Sequence, residues 1–242
     1  MKILRVRRQD WARQVAEAFL ERVQANPKLR VCLPSGDTPV AVYAEIASLA
    51  REKKVSLARV QVFLLDEYGG LDPDDPGRGA AMLEREFLSK LEERPAQVRL
   101  IDTESASLRA EIAALEREIG TGFDLTLLGI GLNGHLGMNE PSSAADAGVR
   151  RVDLHPASRQ SSHGYGVRKT PTWGVTLGMR QLLGSNEVWL LATGAKKAQI
   201  VRQALEGPLT PDNPASLLQP HPNCTVFLDE DAAALLARDE PP

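Results

Sequence analysis

The chain has 242 residues and a formal net charge of -3 at pH 7, and its 29 lysines and arginines are scattered rather than gathered into a basic stripe. This length predicts one domain over residues 1–242 with a substantial core, and the charge pattern gives no reason to expect nucleic acid as a partner. No apolar run approaches the roughly 18 residues of a membrane span, and the N-terminus does not resemble a signal peptide, so we expect a cytoplasmic protein without a membrane partner.

Apolar segments with the composition of buried strands recur along the chain. They lie at residues 2–6, 29–33, 60–65, 98–101, 124–130, 187–193 and 225–228. Helical patterns separate most of them. One amphipathic stripe consists of Trp11, Val15, Ala18 and Phe19, and another of Leu108, Ile112, Leu115 and Ile119. Strands that alternate with amphipathic helices predict an α/β fold with three αβα layers around a mostly parallel, Rossmann-like central sheet.

A possible anion-binding turn follows the second predicted strand. Ser35, Gly36, Asp37 and Thr38 come before Pro39, where an amphipathic helix begins. Thr38 is suited to cap that helix and Pro39 to be its first residue, so the free amides of the turn could hold a phosphate. An ordinary strand-to-helix turn explains the same residues, because one glycine is much weaker evidence than a Walker loop.

Two carboxylates follow the predicted strand at 60–65. Asp66 and Glu67 come directly after it, and Tyr68 is next. This position is the carboxyl edge of a parallel sheet, where α/β folds bind their ligands. One of the two acids could be a general base if partial burial raised its pKa, and a solvated acidic loop is the alternative that these residues leave open.

A glycine-rich stretch at 129–141 follows the predicted strand at 124–130. The spacing of Gly129, Gly131 and Gly134 also matches a dinucleotide-binding fingerprint. That fingerprint needs its third glycine to begin a helix, and Gly137 and Pro141 would break one. We therefore predict a polar active-site loop instead of a nucleotide site.

His135 and Glu140 are the side chains of this loop that could handle protons. They are five residues apart, so the loop can turn back and bring the carboxylate to the imidazole. A carboxylate in that position orients a histidine and fixes its tautomer. We predict that the two residues act as a pair.

A long polar segment at about 142–176 is rich in Arg, Ser and Gly and has no sustained periodicity. Irregular stretches of this length inside a domain are usually lids or mobile loops. We predict a short lid here.

Lys196 and Lys197 follow the predicted strand at 187–193 and begin a helix. Lysines in a first helical turn oppose the helix dipole, so a bound anion nearby would offset an unfavourable interaction. Two solvated lysines would explain the same pattern.

Four segments together resemble a known family. They are 34–39 (Pro-Ser-Gly-Asp-Thr-Pro), 65–68 (Leu-Asp-Glu-Tyr), 134–141 (Gly-His-Leu-Gly-Met-Asn-Glu-Pro) and 215–222 (Ala-Ser-Leu-Leu-Gln-Pro-His-Pro). In this order, across nearly the whole chain, they resemble the sugar-phosphate isomerase and deaminase group that contains glucosamine-6-phosphate deaminase and 6-phosphogluconolactonase. Lactonases usually have arginine at the place of Tyr68 and lack the Asn-Glu-Pro sequence that ends the third segment at 139–141. The chain therefore looks more like the deaminase branch.

The resemblance implies conversion of glucosamine 6-phosphate and water to fructose 6-phosphate and ammonia by aldose-ketose isomerisation and deamination. His135 would assist opening of the sugar ring, and Asp66 would move a proton between C2 and C1. Glu140 and Asn133 would form a relay behind His135. These are the implied catalytic residues.

The resemblance also implies a binding site for a small sugar phosphate. Its expected residues are Ser35, Gly36, Asp37, Thr38, Glu67, Gly131, Gly134, Arg168 and Lys197. No metal and no organic cofactor is implied, and Cys32 and Cys224, both in strand-like segments, are expected to be buried. The protein is expected to be a monomer or a homo-oligomer, and hyperbolic kinetics are expected because the longer C-terminal region of allosteric hexameric members has no counterpart here.

Three positions depart from the family pattern. Asn133 stands where many deaminases have aspartate, and Arg78-Gly79 stands where a Ser-Tyr pair is usual. The lid of typical members supplies an arginine to the phosphate, but the best-matching place here falls at 161–164, which has none. Arg159 and Arg168 are the candidates to replace it.

These departures leave three other functions open. They are a 6-phosphogluconolactonase, a deaminase or isomerase for another amino-sugar phosphate, and a non-catalytic sugar-phosphate sensor, since a fold does not fix a function. The sensor is disfavoured because the chain carries no helix-turn-helix region.

Overall fold

A computed structural model describes residues 1–237 of the protein, apart from the side chain of Ala157. The strands, in chain order, are β1 (Lys2–Val6), β2 (Arg30–Leu33), β3 (Gln61–Leu64), β4 (Asp66–Gly69), β5 (Gln97–Arg99), β6 (Leu125–Gly129), β7 (Arg150–Asp153), β8 (Trp173–Thr176), β9 (Glu187–Ala192) and β10 (Cys224–Asp229). The main sheet has seven strands in the order β1-β10-β9-β6-β2-β3-β5. All of its pairs are parallel, as the sequence predicted.

Helices cover both faces of this sheet. They are α1 (Arg8–Ala25), α2 (Thr38–Lys53), α3 (Gly79–Glu86), α4 (Leu108–Ile119), α5 (Pro156–Ser162), α6 (Met179–Leu183) and α7 (Ala198–Glu206). Helices α1, α2 and α3 pack on one face, and α4, α6 and α7 pack on the other. Side chains of β6 alternate between the two cores, with Leu127 on the first side and Leu128 on the second, as a strand buried on both faces requires. The predicted three-layer αβα fold is confirmed.

The direction in which successive strands are added to the sheet reverses between β2 and β6, which are parallel neighbours. From β2 the chain proceeds outward to β3 and β5, whereas β6, β9 and β10 extend the other way. In such folds the loops at the carboxyl ends of the strands diverge at this reversal and leave a crevice for a ligand. The loops after β2, β3, β6 and β9 therefore open at one place.

A small second sheet corrects the prediction of an irregular segment at 142–176. Strands β4, β8 and β7 form an antiparallel sheet, in which Thr176 lies opposite both Asp66 and Arg150. The sequence signal was too weak because these strands have four residues each and are interrupted by charged residues and glycine. The lid is thus residues 154–172, between β7 and β8, and it contains α5.

Two further observations concern the helices. Helix α2 begins at Thr38 with Asp37 in the capping position, so the prediction of Thr38 as the cap was one residue too late. Within residues 1–237, no helix has both the length and the apolar character that crossing a bilayer demands.

Candidate active site

Asp66 is buried at the carboxyl edge of the sheet, directly after β3. Its Oδ1 accepts a long hydrogen bond of 3.4 Å from the Ser35 hydroxyl, and its Oδ2 faces the loop after β6, where a Cβ built on Gly137 would lie 3.2 Å away. Burial and then the neighbouring Glu67 raise the pKa of Asp66 to about 7, and His135 and Ser35 only partly oppose the shift. The carboxyl group can therefore gain or lose a proton near neutral pH.

Glu67 points away from Asp66, because successive side chains of a strand lie on opposite faces. Its carboxylate accepts hydrogen bonds from the amides of Gly79 and Ala80, at 2.9 Å each, and so caps the N-terminus of α3. Arg78 lies 3.7 Å from it. Burial raises the pKa of Glu67, and the amides offset part of that shift. The structure does not bring Glu67, predicted to bind substrate, to the same place as Asp66, because both of its carboxylate oxygens accept hydrogen bonds and its side chain is fully buried.

His135 lies in the loop after β6 with its imidazole directly over Gly131. A Cβ on Gly131 would be 2.2 to 2.4 Å from three atoms of the ring, so no other residue fits there. The amide of Gly131 donates to the His135 carbonyl at 3.0 Å, and the amide of Gly134 donates to Gly131 at 3.1 Å. Because these two amides are already bonded, the glycines shape the loop and hold the imidazole; they do not offer free donors to a substrate. No helix follows Gly134, which agrees with the rejection of a dinucleotide site.

Glu140 lies beside the imidazole, as the sequence predicted. Its Oε2 is 3.5 Å from His135 Nδ1 and accepts a 2.8 Å hydrogen bond from the Asn133 amide. Among the described residues, Nδ1 has no partner with hydrogen-bond geometry, so the contact is electrostatic. Oε1 accepts from the hydroxyl of Ser158, in lid helix α5. Burial would raise the pKa of Glu140, but His135, Ser158 and Asn133 together lower it to about 2.

Asn133 holds both partners of this pair. Its side-chain oxygen accepts from the backbone amide of His135 at 3.2 Å, while its amide group donates to Glu140. Aspartate in this place could not donate to Glu140 and would repel it. Asparagine, in the place where the family often has aspartate, therefore connects His135 and Glu140 by hydrogen bonds.

Asn139 anchors the same loop. Its side-chain amide donates to the carbonyls of Leu136 and Leu177 at 2.9 Å each, and its oxygen accepts from Arg150 at 2.8 Å. The side chain is fully buried. It thereby joins the catalytic loop to the small sheet, which fixes the position of Glu140 next to it.

The predicted phosphate turn lies next to Asp66. Gly36 has a φ of +95°, a conformation that residues with a side chain rarely adopt. Ser35 and Thr38 are partly accessible and Asp37 is exposed. As an acid, Asp37 can offer a phosphate only its backbone amide.

Lys197 reaches the same region from the turn before α7. Its Nζ donates to the carbonyl of Ile130 at 2.6 Å, and its half-buried position lowers its pKa, although Asp37 raises it. The structure thus brings a lysine ammonium close to the turn of Ser35, Gly36 and Thr38. Lys196, next to it, is exposed.

Arg168 does not lie in this site. Its guanidinium forms an exposed ion pair with Asp74 at 2.9 Å, and its amide is bonded to Asp75 at 3.0 Å. The structure therefore places Arg168, predicted to bind the phosphate, away from the turn at 35–38, and holds the end of the lid against the loop at 72–77. Arg159 donates to the carbonyl of Leu154 at 2.8 Å, within the lid itself.

Two tyrosines belong to the site and were not predicted. The hydroxyl of Tyr165, in the lid, lies 3.5 Å from the place where a Cβ on Gly36 would be. Tyr68 is two residues after Asp66 in β4, so the two side chains lie on the same face of the small sheet. Burial raises the pKa of Tyr68, and Asp66 raises it further. An aromatic residue in an otherwise polar lid could have indicated Tyr165 from the sequence. No feature of the sequence distinguishes Ser158 from the other serines of the lid.

Comparison with known proteins gives consistent sequence matches. The family model for glucosamine-6-phosphate isomerases/6-phosphogluconolactonase matches residues 6–227. Glucosamine-6-phosphate deaminase of Corynebacterium aurimucosum is 38% identical over 226 residues, which cover 92% of this chain and 89% of that protein. Glucosamine-6-phosphate deaminase 2 of Giardia intestinalis is 36% identical, covering 94% and 89%.

Solved structures agree with these matches. A monomeric glucosamine-6-phosphate deaminase superposes with a TM-score of 0.92 at 30% identity, over 97% of this chain and 100% of that one. A 6-phosphogluconolactonase from Trypanosoma brucei superposes with a TM-score of 0.73 at 20% identity, over 98% of each chain, which shows a shared fold alone. The chain belongs to the glucosamine-6-phosphate isomerase/6-phosphogluconolactonase family.

Proposed function

We propose that this protein is a glucosamine-6-phosphate deaminase, which converts glucosamine 6-phosphate and water to fructose 6-phosphate and ammonia. The observation that carries the proposal is the buried Asp66, with a pKa near 7, at the same edge as the pair of His135 and Glu140. Moving a proton between adjacent carbons requires one carboxyl group that accepts and then returns it, and such a group works best with a pKa near the working pH. Relatives named glucosamine-6-phosphate deaminase support the same reaction.

In this proposal, His135 acts first, on the closed sugar. It moves a proton between the ring oxygen and the C1 hydroxyl as the ring opens, and Glu140 and Asn133 hold the imidazole in place. The ionised Glu140 also stabilises the imidazolium form electrostatically. Asn133, as a neutral amide, orients the imidazole but cannot share its charge.

Asp66 acts on the opened sugar. Its carboxylate accepts the proton of C2 while the carbonyl oxygen at C1 gains a proton, which gives an enolamine between C1 and C2. The resulting acid then delivers its proton to C1, and the nitrogen loses the proton that balances the one gained by the C1 oxygen, which leaves a C1 hydroxyl and an imine at C2. Water then adds to the imine and ammonia leaves, so the product is the ketose phosphate. A buried carboxylate is suited to this step because its desolvated, ionised form is a stronger base than one in water.

The phosphate of the sugar is proposed to bind to the turn of Ser35, Gly36 and Thr38 and to Lys197. Backbone amides at a helix N-terminus and one ammonium group are suited to a phosphate. Binding of the phosphate group, which is remote from C2, orients the reacting carbons toward Asp66. The protein is proposed to act as a single domain in the cytoplasm, where phosphorylated sugars are retained. A similar solved deaminase is a monomer, which supports a protein that does not need to form an oligomer.

Tyr68 favours deamination over lactone hydrolysis. It contributes a neutral ring near Asp66, where an arginine at the same place would lower the pKa of that carboxyl group. A carboxyl group with a pKa near 7 suits proton shuttling between carbons. The alternatives that stay open are a lactonase and an enzyme for another amino-sugar phosphate.

A coupled assay tests the proposal. Purified protein with glucosamine 6-phosphate should release fructose 6-phosphate and ammonia in equal amounts. The same protein should be assayed with 6-phosphogluconolactone and with galactosamine 6-phosphate. Faster turnover of either compound, with no fructose 6-phosphate from glucosamine 6-phosphate, would contradict the proposal.

A further inference from the structure

The lid places a tyrosine hydroxyl over the proposed phosphate turn. Tyr165 lies in the turn that follows α5, and its hydroxyl is 3.5 Å from the position that a Cβ on Gly36 would occupy. The ring is partly buried. The lid therefore contacts the turn through an oxygen that can donate a hydrogen bond.

The arginines of the lid that could serve the phosphate are engaged elsewhere. Arg168 is paired with Asp74 outside the site, and Arg159 is bonded to the carbonyl of Leu154. Gly164, next to Tyr165, has open space where a Cβ would be. A larger residue at Gly164 would therefore meet no steric obstacle from its surroundings.

We propose that Tyr165 is a substrate-binding residue whose hydroxyl donates a hydrogen bond to the phosphate of the sugar, in place of a lid cation. For the identity of the sugar, the inference rests on the proposed function. The inference itself is that the turn at 35–38, Lys197 and the Tyr165 hydroxyl hold a phosphate group between them. Asp37 and Asp66 are the charged groups that act on the Tyr165 hydroxyl, and Lys197 interacts in turn with Asp37.

The Tyr165 hydroxyl keeps its proton at neutral pH. Burial raises its pKa, and Asp37 and Asp66 raise it further, so the group is a donor throughout the working range. A neutral donor adds no positive charge, which leaves Lys197 to neutralise the phosphate. Phosphate binding should therefore weaken less steeply with added salt than it would with an arginine in the lid.

The test compares Tyr165→Phe with wild type, since this change removes the hydroxyl and keeps the ring. The KM for glucosamine 6-phosphate should rise about tenfold, the low end for a hydrogen bond to a charged group, while kcat stays within about twofold. The Kd of inorganic phosphate, measured by calorimetry without the sugar, should rise by a similar factor. Adding Gly164→Arg to Tyr165→Phe should lower both values again and make them more dependent on salt.

Arg168→Ala is the competing variant. A larger effect on phosphate Kd from Arg168→Ala than from Tyr165→Phe would overturn the inference, as would a KM and a phosphate Kd that Tyr165→Phe leaves unchanged. Phosphate binding separates this result from the proposed function. If the wild type did not deaminate glucosamine 6-phosphate but Tyr165→Phe still weakened phosphate binding, the proposed function would fail and the inference would hold; if the wild type bound no phosphate and had no activity, both would fail.

Discussion

The hydroxyl of Ser158 donates a hydrogen bond to Oε1 of Glu140, the carboxylate that faces His135. Ser158 is in the lid helix, whereas Glu140 is in the loop after β6. The hydrogen bond helps to hold the pKa of Glu140 at about 2. The lid is therefore linked to His135 through the carboxylate of Glu140, which makes Ser158 a positioning residue in the proposed mechanism.

Ser158→Ala should lower kcat/KM about tenfold, because a hydrogen bond to a charged group contributes roughly 1.5 kcal/mol or more. The lost donor should also raise the pKa of Glu140, but that carboxylate stays ionised near neutral pH, so the rise of kcat/KM through about pH 7 should be unchanged. The loss should fall on kcat rather than on KM, because Ser158 acts through Glu140 and His135. Ser158→Thr should restore kcat. A rise in KM with an unchanged kcat would contradict the positioning role.

Asp66→Asn should lower kcat by at least about a hundredfold, the low end for loss of a general base, and should change ligand affinity only a few-fold. In the wild type, kcat/KM should increase with pH through about 7, as Asp66 ionises. Steady-state kinetics between about pH 5.5 and 8.5 measure both. Near-normal turnover by Asp66→Asn would remove this residue from the mechanism.

The same substitution should change how stability depends on pH. The pKa of Asp66 is about 7 in the folded protein, above its ordinary value of 3.8, so the folded state holds this proton more tightly than the unfolded state. The resulting stability is fully present below the ordinary pKa and is lost as the pH rises through about 7. Between about pH 5.5 and 8.5 the wild type should lose about 2 kcal/mol at this site, and Asp66→Asn should not. Urea unfolding at the two pH values tests this, and parallel pH dependence of the two proteins would contradict it.

Lys197→Ala should weaken binding of the phosphorylated sugar by about 1.5 to 3 kcal/mol, or roughly 10- to 150-fold, because it removes the ammonium group near the phosphate turn. Lys196→Ala is the matched control, since that neighbour is exposed and should have little effect. Unphosphorylated glucosamine should be a very poor substrate for the wild type and should lose little more in Lys197→Ala. Equal turnover of both sugars by the wild type would contradict the phosphate assignment.

Gly131→Ala should displace the His135 imidazole, because the new methyl group would lie 2.2 Å from the ring. We expect a fall in kcat of about a hundredfold, since a misplaced catalytic group of this kind costs about that much. Gly129→Ala is the control: a Cβ there meets nothing within 4 Å. Similar losses in both variants would show that the steric contact with His135 is not the cause.

The sequence predicted the main sheet well because its central strands, such as β6 and β9, are apolar runs that a parallel sheet buries on both faces. It also predicted the pair of His135 and Glu140, since two residues five positions apart in a glycine-rich loop can be brought together when the loop turns back. It did not predict β4, β7 and β8. Their pairing is determined by long-range backbone contacts, such as that of Asp66 with Thr176, and their own sequences are polar.

Two of the residues expected to bind substrate lie away from the proposed site. Glu67 and Arg168 were expected to bind substrate, but their partners, the amides of α3 and the carboxylate of Asp74, are recognisable only once the fold is known. Tyr165 reaches its position because the lid folds back across the turn at Gly36. Such contacts depend on tertiary packing, and local patterns do not encode them.

The small sheet also makes the lid a replaceable module. At the end of this sheet nearest the lid, the amide of Leu154 donates a hydrogen bond of 2.9 Å to the carbonyl of Thr172. The residue pairs of β7 and β8 follow from there to Thr176, which lies opposite Asp66. The residues between Leu154 and Thr172 can therefore be exchanged for another sequence that spans the same two ends, while the register at Asp66 is kept, provided that the new lid again supplies a hydrogen-bond donor to Glu140 as Ser158 does. Grafting lids of this kind would alter substrate preference in this scaffold.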